Sequence, residues 1–154
     1  MQIKTGAFSP ESRIPEKYTC QGADISPALS WEGVPEKTRS FSLIMDDPDA
    51  PGKTWVHWVI YNIPAETRSL PERFSPAERL KNGLLQGRND FGEIGYGGPC
   101  PPPGHGPHRY FFKLYALDTD LNLKPGAGKK DVEKAMDGHI LGQAELIGRF
   151  ERRL

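Results

Sequence analysis

The chain has 154 residues, 36% of them hydrophobic and 26% charged, a balance that describes a folded domain rather than a disordered segment. Lys plus Arg equals Asp plus Glu at 20 each with no basic stripe, which argues against a non-specific nucleic-acid binder. The 17 Gly and 15 Pro follow no collagen period, so they favour short strands joined by structured turns and argue against a helical bundle.

Residues 1–6 lack the apolar core of a signal peptide, and no run approaches the roughly 18 apolar residues that span a bilayer as a helix. The expectation is one cytoplasmic domain over 1–154, with no integral membrane association. Strand-like alternation begins with short candidates at 3–8 and 28–31. Between them lies Cys20, with Cys100 far along the chain. A disulfide, two free thiols or half a metal site are all open, and free buried thiols are the expectation for a cytoplasmic protein.

The first long strand is expected over 39–46, and Asp47-Pro48-Asp49-Ala50-Pro51 follows it as a turn. A second strand covers 54–62. Ser75-Pro76-Ala77-Glu78 has the form of a capping box with Pro at the first helical position, and Gly83 could close that helix. From 86 to 107 the chain holds seven Gly and five Pro and no regular element. A loop this long inside a compact domain is functional or disordered, and Phe91, Tyr96 and the prolines favour an ordered one. A third strand is expected over 108–118, a short helix over 129–137 stopped by Gly138, and a weaker strand over 140–150. The fold class is all-β, an antiparallel two-sheet sandwich with one or two short helices.

Alternation places Asp47 at the end of the apolar row Phe41, Leu43 and Met45. It places His57 on one face with Trp55, Val59 and Tyr61, and sets His108 and Tyr110 at the start of a row leading to Phe112 and Leu114. A lone histidine beside an apolar row is more often a satisfied core residue than a ligand. The coincidence of Asp47, His57, His108 and Tyr110 at strand ends is what points to a site. The glycine-rich loop running into His108 would form its wall, with backbone N–H groups able to meet an anion.

Two stretches carry a family resemblance. Asp47-Pro48-Asp49-Ala50-Pro51 with His57-Trp58, and Gly98-Pro99-Cys100-Pro101-Pro102 running through Gly104 into His108-Arg109-Tyr110, resemble the two signatures of the phosphatidylethanolamine-binding proteins. Tyr18-Thr19-Cys20, Gly87-Arg88-Asn89-Asp90-Phe91-Gly92 and Gly138-His139-Ile140-Leu141 are similar to the shorter bacterial and archaeal branch. The resemblance implies a β-sandwich with a pocket for phosphate or a phospholipid headgroup such as phosphoethanolamine. It implies binding rather than turnover, with a kinase or protease as a partner, and no cofactor. Asp47, Asp49, Pro51, Trp55, His57, Pro102, Gly104, His108 and Tyr110 match the pocket positions. The chain stops soon after the last expected strand, with no room for the C-terminal helix of the animal members, so a more open pocket is expected.

An anion beside Asp47 needs compensating charge, expected from protonated His57 and His108, with tighter binding at mildly acid pH. Two rival readings remain. Asp47, His57 and His108 could serve a hydrolase as acid and base, although no nucleophile sits in a recognisable elbow. His57, His105, His108 and Asp47 have metal-ligand chemistry, but Gly106-Pro107 separates His105 from His108, so no regular element holds them on one face.

Overall fold

The computed structural model describes residues 1–153. In chain order the strands are β1 (Gln2–Lys4), β2 (Leu29–Glu32), β3 (Ser40–Asp47), β4 (Trp55–Pro64), β5 (Ser69–Leu70), β6 (Leu85–Gln86), β7 (His108–Leu117) and β8 (Ile140–Phe150). Among the described residues one α-helix, α1 (Lys129–Met136), precedes β8, and a 3-10 turn covers Glu16–Tyr18. β1, β2 and β5 form a three-stranded sheet, and a five-stranded sheet runs β6-β4-β3-β7-β8. Every pairing within them is antiparallel.

The core lies between the two sheets. Ile3, Leu29 and Trp31 meet Phe41, Leu43 and Met45 of β3 and Phe112 and Leu114 of β7. The outer face of the large sheet is covered too, where Ile44, Val59 and Tyr61 pack against Val132 and Met136 of α1. β3 is therefore buried along its whole length, and Ser40, Ser42 and Asp46 on its outward face are enclosed rather than solvated. Asp46 meets Lys113 Nζ at 3.3 Å and Lys129 Nζ at 2.8 Å, which compensates a carboxylate that is 1% exposed.

The structure revises three sequence expectations. β4 does not alternate cleanly, because the β3–β4 register shifts between Met45 and Asp46 and again between Phe41 and Leu43. Trp58, Ile60 and Ile63 consequently join the inner core, while Val59 and Tyr61 turn outward, away from the face of Trp55 and His57. Asn62, at φ 55°, sits at the second shift, where an asparagine tolerates the left-handed region.

The helix expected from Ser75 does not form. Ser75 Oγ accepts the Ala77 N–H at 3.2 Å, and the Gln86 side-chain amide donates to the carbonyls of Ser75 and Ala77 at 2.6 and 2.8 Å. The buried Gln86 amide of β6 thus takes the carbonyls on which a helix would have been built. The third revision concerns the thiols. Cys20 and Cys100 form a disulfide with a Cα separation of 5.4 Å, against the expectation of free cysteines.

Candidate functional site

The turn after β3, the start of β4, the long loop and the start of β7 meet at one end of the large sheet and enclose a cavity of about 230 Å³. Asp47 reaches it from the end of β3, Pro51 from the turn, and Trp55 and His57 from β4. Pro102 comes from the loop, and His108 and Tyr110 come from β7. Seven of the nine residues singled out in the sequence therefore line one space.

Asp47 anchors the turn. Its Oδ1 accepts the Asp49 N–H at 2.7 Å, and its Oδ2 accepts Nδ1–H of His108, also at 2.7 Å. Asp49 stands outside the lining. Its carboxylate takes the Nε–H and Nη2–H of Arg109 at 2.9 and 2.8 Å and the Arg109 backbone N–H at 2.9 Å. Those Arg109 hydrogen bonds hold the Asp49 carboxyl down to about 2. Its place is to fasten the turn to β7. Gly104 also lies outside, its N–H donated to the Arg152 carbonyl at 2.8 Å.

His57 is 2% exposed, with Nδ1 2.6 Å from the Gly97 carbonyl. A carbonyl only accepts, so Nδ1 carries the hydrogen and Nε2 a lone pair in the neutral ring. Burial pushes the His57 pKa down, against the smaller upward pull of the Gly97 carbonyl and of Asp47. At neutral pH this ring is uncharged and does not supply the positive charge expected of it.

Tyr110 is fully buried, and its hydroxyl has no partner at hydrogen-bond distance and angle, although the Asp47 carboxylate lies near enough to act on it. Burial first, and then that carboxylate, push its pKa far up, so it remains a protonated donor. Trp55 Nε1 is likewise buried without a partner.

Ala50, Phe91, Cys100 and Pro101, none of them among the expected site residues, complete the lining. Phe91 stands edge-on to Trp55 and His57 with ring centroids 5.5 and 5.4 Å apart, and it is 43% exposed at the rim. Asn89 positions it, accepting the Phe91 and Glu93 N–H groups and donating to the Gly95 carbonyl. A Cβ on Gly97 would lie 2.4 Å from the Phe91 ring, so only glycine lets that ring close the wall. The available signal was an aromatic residue within a run of glycines. Cys100 is placed by its bond to Cys20, which no spacing announced. His105, separated from His108 by Gly106-Pro107, nonetheless has Nδ1 2.6 Å from His108 Nε2.

Comparison with known proteins agrees with this architecture. Residues 4–151 match the family model described as phosphatidylethanolamine-binding protein. A UPF0098 protein of Methanothermobacter thermautotrophicus is 58% identical over 152 residues, covering 99% of each chain. The crystal structure of a putative phosphatidylethanolamine-binding protein homologue from Chlamydia trachomatis superposes with a TM-score of 0.88 at 42% identity, covering 98% of this chain and 97% of the other. YbcL of Escherichia coli, described as a member of the mammalian PEBP family, gives 0.89 at 36% identity, with 97% of each chain covered. With the fold and both signature stretches in place, the chain belongs to the phosphatidylethanolamine-binding protein family.

Proposed function

We propose that this protein is a non-catalytic binding protein whose cavity takes a phosphate-bearing headgroup of the phosphoethanolamine kind. The observation that carries the reading is the pair of buried side-chain groups without partners, Trp55 Nε1 and the Tyr110 hydroxyl, on residues of one cavity. Indole N–H can only donate, and the high pKa of Tyr110 keeps its proton available, so a ligand rich in acceptor oxygens would answer both. The aromatic walls of Trp55 and Phe91, with the Asp47 carboxylate, suit the ammonium end of a zwitterion. At about 230 Å³ the cavity is smaller than the roughly 300–1,000 Å³ of drug-sized sites, which favours a headgroup over an entire lipid. The description of the matching family model points the same way.

A regulatory role follows if an occupied cavity also docks a kinase or protease, and exposed Phe91 at the rim is the surface that favours it. Against the hydrolase reading, the sulfur of Cys100 is committed to a disulfide and the lining offers no serine. The same disulfide fits an oxidising compartment, or a hyperthermophile's cytosol, better than an ordinary reducing one.

The test is a heteronuclear NMR titration with phosphate and with phosphoethanolamine, following the His57 and His108 rings and the Gly97 amide. Saturable shifts confined to the cavity and weakened in Trp55→Phe are expected. No shift at millimolar ligand would sink the proposal.

A further inference from the structure

We propose that His105 and His108 form a two-histidine site for a divalent transition metal, Zn²⁺ being the first candidate, at the margin of the cavity. The bound ion would supply the positive charge that holds a phosphate group there. That second half rests on the headgroup reading above.

Among the described residues no Lys or Arg side chain lines the cavity, and its lining includes the carboxylate of Asp47. Lys53, whose Nζ stands 5.8 Å from the Trp55 ring centroid, is paired with Asp90 at 3.1 Å. His57 is held neutral by burial. Arg109 is bound by two guanidinium nitrogens to Asp49, and Arg152 donates Nε–H to the Pro101 carbonyl at 2.6 Å. A phosphate dianion placed beside Asp47 with nothing added would be repelled.

The histidine pair meets that deficit. His108 donates Nδ1–H to Asp47 Oδ2, so the neutral ring carries its lone pair on Nε2, and Nε2 faces His105 Nδ1 at 2.6 Å. A carboxylate orienting an imidazole whose far nitrogen is turned to a common point with a second imidazole is the arrangement that supports bound zinc. Imidazole donors select Zn²⁺, Cu²⁺ and Ni²⁺ over Mg²⁺ or Ca²⁺. Two nitrogens bound at about 2.0–2.1 Å to one tetrahedral ion stand about 3.3 Å apart, so one ring must withdraw by about 0.7 Å. His108 is buried and held, whereas His105 is exposed between Gly104 (φ 74°) and Gly106 (φ 85°) and is free to make that move. Among the described residues no three His, Cys, Asp or Glu side chains converge as a complete ligand set. An ion held by these two rings alone would take water or phosphate oxygens at its remaining positions, and His108 belongs both to the pair and to the cavity lining.

Calorimetry on the metal-free full chain tests both halves, first with ZnCl₂ alone and then with phosphoethanolamine against the metal-free and Zn²⁺-loaded protein. The expected result is one Zn²⁺ per chain, bound at least tenfold more weakly by His105→Ala and unchanged in His139→Ala. Phosphoethanolamine should bind at least tenfold more tightly to the loaded protein, and Zn²⁺ affinity should rise by the same factor in its presence. His105 is exposed, so the variant keeps its fold, which its melting temperature verifies. Zn²⁺ binding that is absent, or equal in His105→Ala and wild type, overturns the site and leaves a shared proton as the link between the rings. Equal phosphoethanolamine affinity with and without metal overturns the charge-supplying role while the headgroup reading stands. Zn²⁺ binding through His105 with no phosphoethanolamine bound in either state overturns the headgroup reading and leaves the metal site intact.

Discussion

Asp47 and His108, 61 positions apart in the chain, share a 2.7 Å hydrogen bond at the end of the sheet where β3 meets β7, with side chains only 4% and 2% exposed. Two polar groups buried this deeply are tolerated because their facing atoms satisfy one another, and removing one leaves the facing atom of the other buried without its partner. Asp47→Ala is expected to cost about 2–3 kcal/mol of stability, the range for a hydrogen bond to a charged group in a buried site. Urea unfolding measures it, and a loss under about 0.5 kcal/mol would mean that water replaces the carboxylate.

His57 makes stability depend on pH. Its folded pKa lies below the usual histidine value of about 6.5 because burial disfavours the charged ring. Below that value the unfolded chain binds a proton that the folded chain does not, so the folded state loses ground as pH falls. The contribution is fully present above about pH 6.5 and declines below it by at most about 1.4 kcal/mol per unit. Melting temperatures between neutral pH and pH 5 should fall in the wild type and fall less in His57→Gln. Parallel curves would show that His57 does not carry the effect.

The disulfide closes a separation of 80 residues and ties the segment after the 3-10 turn to the loop that walls the cavity. Cross-links over that span stabilise chiefly by limiting the unfolded chain, at about 2–4 kcal/mol. Reduction, or paired Cys20→Ser and Cys100→Ser substitution, should lower the unfolding midpoint accordingly. Since Cys100 is part of the cavity lining, headgroup binding should weaken in the same sample. Unaltered binding after verified reduction would show that the loop holds its place through its other contacts.

Gly97→Ala is expected to affect the cavity more than the fold. The added methyl would meet the Phe91 ring at 2.4 Å and push that partly exposed wall outward, while the Gly97 carbonyl bonded to His57 stays in the backbone. Ligand affinity should drop several-fold with about 1 kcal/mol or less of stability lost, because an exposed ring can yield into solvent. A folding defect without any binding defect would place the ring's importance in packing instead.

Much of this arrangement was legible along the chain, and the parts that were not share a cause. Local alternation marked β3, β4, β7 and β8 because an apolar residue at every second position is what a half-buried strand requires. The polar ends of those rows named Asp47, His57, His108 and Tyr110 for the same reason. Alternation could not announce the register shifts in β4, since a bulge depends on the partner strand, and so Val59 and Tyr61 were placed on the wrong face. Nor could the capping box at Ser75 reveal that Gln86 would bind its carbonyls from eleven and nine residues away.

Sequence by itself determined the strand-rich class, the ordered loop and the ends of strands at which chemistry could gather, because these follow from local periodicity and backbone preference. Tertiary structure alone decided the rest. It joined Cys20 to Cys100, turned Asp49 from the cavity to Arg109, made His57 neutral by burying it, and brought His105 against His108 across a Gly-Pro turn. Each of those outcomes depends on distance and solvent exclusion between residues remote in the chain or joined by irregular backbone, and these exist only once the sheets have packed.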